Sequence, residues 1–135
     1  MGVRTARLKF MDSSLTIEQA AAALAAREPI FHRPEFGTSR ADFESMLAPE
    51  FWEVGASGRK YPKASVLDTL QAQRAEPVAE NFSATDFACQ EIAPNLYLAT
   101  YQLDQAGRLS RRATIWRYAN PDWQIVYHQG TLIAV

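Results

Sequence analysis

Three polar side chains, Glu53, Arg112 and His128, lie in segments that are rich in aromatic and β-branched residues. A carboxylate can accept a proton, a guanidinium can bind an oxygen anion, and an imidazole can donate or accept a proton. Because side chains alternate between the two faces of a strand, Glu53 shares a face with Phe51, and Arg112 shares one with Trp116. If these faces converge, the sequence predicts a mostly apolar small-molecule site with a few polar groups.

The three polar residues have different predicted tasks in this site. Arg112 is expected to bind the anionic or oxygen-bearing end of a ligand, His128 to exchange a proton, and Glu53 to orient one of them. The predicted catalytic residues are therefore His128 and Glu53. The predicted ligand-binding residues are Arg112, Tyr101, Trp116 and Phe51.

Each of these polar residues also has a structural interpretation. Burial would raise the pKa of Glu53, whereas a nearby Arg112 would lower it. Since a close guanidinium usually dominates, the sequence favours a paired Glu53 that positions its neighbours over a general base. The unperturbed pKa of His128, about 6.5, is the nearest to neutral pH, but a lone strand histidine is more often a satisfied hydrogen-bonding residue. Arg112 could equally be a solvated arginine of the sheet.

The composition indicates one globular domain. The chain has 135 residues, of which 47% are hydrophobic, and this suits a single core. We expect residues 1–13 to form a flexible lead-in and residues 14–135 to form the domain. Fourteen Lys and Arg against fifteen Asp and Glu give a net charge of −1, which argues against a nucleic-acid-binding protein.

Several chemistries lack the residues that they need. The single cysteine, Cys89, excludes an intramolecular disulfide and a thiolate zinc cluster. The two histidines, His32 and His128, are too far apart for a local metal motif, and no glycine loop could bind a phosphate. We therefore predict no metal and no cofactor. No apolar run is long enough for a signal peptide or a membrane span, so the expected location is the cytoplasm, without a membrane partner.

The sequence pattern predicts mainly helices in the first half of the chain. Thr16 and Gln19 have capping-box spacing, and the pattern predicts a helix over about 16–32 that Pro29 should kink or end. Thr38 or Ser39 can cap a second short helix. Pro49 should close that helix before a strand over 51–54, and a turn at 55–58 should return the chain through 59–61. A third helix is expected to begin at Pro62 and to end before Pro77.

The sequence pattern predicts strands in the second half of the chain. The predicted segments cover about 81–92, 96–103, 109–118 and 123–129, followed by a short tail through Val135, and turn-forming residues separate them. Helices followed by an antiparallel meander make an α+β pattern with the helices on one face of the sheet.

Three motifs carry a resemblance to a known superfamily. They are Phe51-Trp52-Glu53-Val54-Gly55-Ala56-Ser57-Gly58-Arg59, Arg112-Ala113-Thr114-Ile115-Trp116-Arg117 and Trp123-Gln124-Ile125-Val126-Tyr127-His128-Gln129-Gly130-Thr131. In this order they resemble the nuclear transport factor 2-like superfamily. Within it they most resemble the small bacterial branch of SnoaL-like and ketosteroid-isomerase-like proteins. The resemblance implies a cone: a curved antiparallel sheet wrapped around N-terminal helices, with an internal pocket, commonly dimeric through the sheet. No local motif matches the catalytic set of the steroid isomerases, so their residue roles are not transferred.

The polar residues and the resemblance support two functions of different classes. The first is a small-molecule-binding cone, with isomerase-like or lyase-like acid–base chemistry on an apolar ligand that bears a carbonyl or a carboxylate. The alternative is a non-enzymatic, dimeric interaction module, in which Glu53, Arg112 and His128 form a salt-bridged structural cluster. The expected partners are a small molecule and a second copy of the chain.

Overall fold

The computed structural model describes residues 15–75 and 81–134. The helices in these ranges are α1 (Ile17–Arg27), α2 (Arg40–Met46) and α3 (Lys63–Ala75). The strands are β1 (Leu47–Val54), β2 (Lys60–Pro62), β3 (Phe82–Ala93), β4 (Leu96–Gln105), β5 (Arg108–Ala119) and β6 (Asp122–Leu132). The predicted lead-in over residues 1–13 lies outside the described residues.

Helix α1 begins with the predicted capping box. The Thr16 hydroxyl accepts the backbone N–H of Gln19, and the Gln19 side chain accepts the backbone N–H of Thr16. The helix ends at Arg27 rather than at residue 32, because Pro29 has no N–H to donate. A short 3-10 turn, Ile30–His32, continues the chain.

Helix α2 confirms the second predicted helix, with Ser39 and Asp42 forming its capping box. Pro49, which was expected to close that helix, instead lies within β1. The pairing of β1 with β6 is irregular between Leu47 and Trp52. Proline is tolerated there because an interrupted ladder does not need its missing N–H.

The described strands form one sheet in the order β2-β1-β6-β5-β4-β3. The meander from β3 to β6 is antiparallel, as predicted. The β1–β6 pair is parallel, so the sheet is mixed rather than wholly antiparallel. The expected tail strand is not separate, because β6 runs on to Leu132. The α+β class and the curved sheet with its N-terminal helices are confirmed.

The hydrophobic core lies between the helices and one face of the sheet. Trp116 and Trp123 meet edge to face, with their ring centroids 6.3 Å apart, and Tyr97 packs on Trp123 at 5.4 Å. Trp123 is buried in this core. Leu24 and Ala20 connect α1 to this core. No helix among the described residues is both long enough and apolar enough to span a bilayer.

The Leu24→Ala variant should lower the free energy of unfolding by about 2–5 kcal/mol, because it leaves a cavity at a fully buried position. Ile17→Ala is the matched control on the same helix. Ile17 is 39% exposed, so its truncation should cost under about 1 kcal/mol. Urea denaturation of both variants makes the comparison, and equal losses would contradict the described core.

Candidate functional site

Strand pairing brings the predicted polar residues into neighbouring rows of the sheet. His128 on β6 lies opposite Glu53 on β1 and opposite Thr114 on β5. In the next row, Arg112 on β5 lies opposite Gly130 on β6. Residues opposite one another in a sheet project to the same face. Glu53 and His128 therefore lie side by side on one face of the sheet. This arrangement depends on the pairing of β1 with β6.

A cavity of about 370 Å³ lies over these rows, between the sheet, helix α3 and the 3-10 turn after α1. Glu53, Arg112 and His128 all line it, so the structure brings the three predicted polar residues together. The other lining residues are Phe31, His32, Tyr61, Val66, Thr69, Leu70, Gln73, Gln105 and Arg108. His32 lies in the 3-10 turn after α1, and this turn carries it to the cavity wall.

Glu53 is half-buried and has no ion pair within 4.0 Å and no hydrogen bond to its carboxylate among the described residues. Burial raises the pKa of Glu53, and the more distant charge of Arg112 only partly opposes this rise. The expectation that Arg112 would dominate the pKa of Glu53 is therefore wrong. The guanidinium does not approach closely enough to repay the loss of water around the carboxylate.

His128 has a hydrogen-bond partner for each ring nitrogen. Its Nδ1 lies 2.9 Å from Thr114 Oγ1, and its Nε2 lies 3.4 Å from Arg112 Nη1. Burial, followed by the charges of Arg112 and His32, lowers the pKa of His128 to about 3. The imidazole is therefore neutral at pH 7. From its unperturbed pKa, His128 was expected to titrate near neutral pH. Its buried surroundings contradict this expectation.

Two contacts besides the one with His128 hold Arg112 at the cavity wall. Its Nε donates to Ser110 Oγ at 2.9 Å, and its side chain packs against Gly130. A Cβ atom at Gly130 would approach Nε of Arg112 to 3.0 Å, so glycine leaves the space that the guanidinium occupies. Nη2 has no hydrogen-bond partner among the described residues. Arg112 is thus fixed in position and still has donors for a ligand.

The three predicted aromatic ligand contacts do not line this cavity. Phe51 is buried in the hydrophobic core. Tyr101 and Trp116 are also buried, and both donate hydrogen bonds to the carboxylate of Glu28. The contact of these three aromatic residues with a ligand stays a prediction. In the structure, Tyr101 and Trp116 face a different polar centre.

That centre is Glu28, a buried carboxylate that sequence reasoning missed. It is 2% exposed and accepts Tyr101 Oη and Trp116 Nε1, each at 2.9 Å. The Thr114 side chain and the backbone N–H of Ile30 also hydrogen-bond to it. Burial raises the pKa of Glu28, and these four hydrogen bonds act in the opposite direction.

A sequence signal for Glu28 did exist. Ala20, Leu24 and Glu28 follow at four-residue spacing, which continues the buried face of α1. Arg33 contacts the end of this helix as well, and its Nε and Nη2 donate to the backbone carbonyl of Glu28 at 3.2 and 2.7 Å. This contact holds the chain in place directly after the helix.

Solved structures resemble this chain at low sequence identity. An NTF2-like protein of unknown function in nutrient uptake from Rhodospirillum rubrum has a TM-score of 0.65 and 18% identity, over 82% of this chain and 98% of its own. A candidate dehydratase from the NTF2-like family of Streptomyces avermitilis has a TM-score of 0.70 and 12% identity, over 89% of this chain and 100% of its own. The chain has the NTF2-like fold.

A third solved structure extends this comparison. A candidate ketosteroid isomerase from Parabacteroides distasonis has a TM-score of 0.56 and 15% identity, over 73% of this chain and 78% of its own. No family model matches the sequence, and no curated protein matches it. The resemblance stated from the motifs is confirmed at the level of the fold. An NTF2-like fold alone does not fix a reaction.

The ring signals of His128 should not titrate between about pH 5 and 8, because its pKa is lowered to about 3. Proton NMR of the imidazole measures this, and a His128→Asn variant assigns the signals. The unfolded chain takes up this proton near its usual pKa of about 6.5. His128 therefore stabilises the fold fully above that pH, and its contribution is lost as the pH falls toward 3. A titration midpoint near neutral pH would contradict the described environment.

Proposed function

We propose that this chain binds an apolar small molecule that bears a carbonyl or carboxylate group and catalyses isomerase-like or lyase-like acid–base chemistry on it. The supporting observation is the state of Glu53. This carboxylate faces a cavity of about 370 Å³, has no direct partner in the part of the chain that the structure describes, and has a pKa that burial raises. A half-buried acid without a partner costs stability, and such groups cluster at functional sites.

The proposal assigns the general base to Glu53 and not to His128. A raised pKa makes Glu53 a stronger base than an exposed glutamate, whereas a pKa near 3 makes His128 a weak one. Glu53 would take a proton from the carbon next to the ligand's carbonyl group. The electron pair of that C–H bond then moves onto the carbonyl oxygen and forms an enolate.

Arg112 would bind the oxygen on which this negative charge develops. Its Nη2 is free to donate, and its position is already fixed by Ser110 and by the space above Gly130. Donors that are positioned before the reaction stabilise developing charge at little further cost. Return of the proton from Glu53 to a different carbon gives an isomerisation, and departure of a neighbouring group gives an elimination.

The apolar side of the cavity suits the rest of such a ligand. Phe31, Tyr61, Val66 and Leu70 supply aromatic and aliphatic surface to the cavity wall. The carboxamides of Gln73 and Gln105 would bind a second polar group of the ligand. This mixture of a mostly apolar wall with a few placed polar groups is typical of small-molecule sites.

The alternative of a structural cluster has less support from the contacts. It requires an ion pair between Glu53 and Arg112, and among the described residues no such pair lies within 4.0 Å. The predicted homodimer and the predicted cytoplasmic location stay predictions.

Proton exchange with solvent tests the proposed base without knowledge of the natural ligand. β-Tetralone is a bicyclic ketone with acidic protons next to its carbonyl, and proton NMR in deuterium oxide follows their replacement. The wild-type protein should accelerate this exchange. Glu53→Gln should lower the accelerated rate by about 100-fold or more, since a positioned base typically contributes that much.

Glu50→Gln is the matched control. Glu50 lies on the same strand but pairs with Arg117 and does not line the cavity, so its loss should leave the exchange rate unchanged. Equal rates for Glu53→Gln and the wild type would remove Glu53 from the mechanism. No acceleration by the wild type, together with no binding of the ketone, would favour the non-enzymatic alternative.

A further inference from the structure

A hydrogen-bonded chain of side chains connects the cavity to the buried carboxylate of Glu28. It runs from Arg112 Nη1 to His128 Nε2 at 3.4 Å, and from His128 Nδ1 to Thr114 Oγ1 at 2.9 Å. The Thr114 side chain then hydrogen-bonds to Glu28. Thr114 is fully buried, so neither of its partners can be replaced by bulk water.

The chemistry of the end groups fixes the direction of every hydrogen bond in this chain. A guanidinium has donors and no acceptor, so Nε2 of His128 must accept from Arg112. A neutral imidazole carries one proton, which must then be on Nδ1. Nδ1 therefore donates to Thr114 Oγ1, and the Thr114 hydroxyl has its own proton to give to Glu28.

The groups around Glu28 at the opposite end are consistent with the same direction. The indole N–H of Trp116 and the backbone N–H of Ile30 can only donate, so Glu28 must present acceptors to them. The Tyr101 hydroxyl also keeps its proton, because burial and the neighbouring Glu28 both raise its pKa. Glu28 thus accepts from Tyr101, Trp116 and Ile30, and the direction fixed at the Arg112 end makes Thr114 a further donor.

We propose that Glu28 is a positioning residue that acts through Thr114 to hold His128 as the neutral tautomer protonated at Nδ1, so that Nε2 keeps Arg112 turned toward the ligand's oxygen. This inference rests on the proposed function for the role of Arg112. In the opposite tautomer, an N–H on Nε2 would face an N–H of Arg112, and the guanidinium would have to move. Glu28 itself touches no ligand.

The nitrogen-15 NMR shifts of the His128 ring in the ligand-free protein test the tautomer directly, because protonated and unprotonated ring nitrogens resonate far apart. The chain has two histidines, so a His32→Asn variant assigns the signals. In the wild type, Nδ1 should have the shift of a protonated nitrogen and Nε2 that of an unprotonated one. The reverse assignment would overturn the inference.

Two substitutions at Thr114 form a matched pair. Thr114→Val has nearly the same shape but no hydroxyl, so the population protonated at Nδ1 should fall and the two nitrogen shifts should move toward each other. Thr114→Ser keeps the hydroxyl and should keep the wild-type shifts. If Thr114→Val leaves the shifts unchanged, Thr114 does not control the tautomer and the inference is wrong.

A double-variant comparison tests whether Glu28 acts through Thr114. Glu28→Gln keeps the size of the side chain but is a weaker acceptor, so it should move the His128 shifts in the same direction as Thr114→Val. In the Thr114→Val background, Glu28→Gln should have no further effect, because the connecting hydroxyl is already gone. An equal effect in both backgrounds would show that Glu28 acts by another route and would overturn the proposal.

The β-tetralone exchange rate separates this inference from the proposed function. With both correct, Thr114→Val should lower the rate about tenfold or more, since misplacing a binding group by about 1 Å can cost on the order of 100-fold. An unchanged rate beside altered nitrogen shifts would overturn the predicted link to Arg112. Expected nitrogen shifts in a wild-type protein that accelerates no exchange would support the control of the tautomer and contradict the proposed reaction.

Discussion

The candidate site depends on the parallel pairing of β1 with β6. This contact joins a strand near the start of the domain to the last strand of the meander, and it sets Glu53 directly beside His128. The antiparallel pairing of β5 with β6 then places Thr114 in the same row as His128. It places Arg112 opposite Gly130 in the next row. Without the β1–β6 pair, the carboxylate and the guanidinium would have no shared cavity.

Loss of water, rather than ion pairing, controls the charges in this cavity. Burial disfavours the charged form of any group, so it raises the pKa of Glu53 and lowers that of His128. The positive charge of Arg112 lowers both values, opposing burial at the carboxylate and reinforcing it at the imidazole. The opposite pKa shifts of these two residues support the different tasks proposed for them, Glu53 as the base and His128 as the group that orients its neighbour.

Much of the fold could be predicted from local patterns, and the least predictable features are those set by distant contacts. The capping residues Thr16 and Ser39 and the strand alternation from residue 81 onward are local signals, and they gave the helix starts and the meander. The parallel register and the position of His32 at the cavity wall depend on residues far away in the chain. Glu28 was missed because a glutamate at the end of a helix usually faces water, although its spacing from Leu24 indicated the buried face.

The most direct test of this account is the pKa of Glu53, measured by carbon-13 NMR of its side-chain carboxyl group during a pH titration. The Glu53→Gln variant identifies the signal. The midpoint should lie above the ordinary value for glutamate, about 4.3, because the carboxylate is half-buried and has no cation within ion-pairing distance among the described residues. A midpoint at or below that value would show that Arg112 pairs with Glu53 in solution, and the carboxylate would then be a structural group instead of a base.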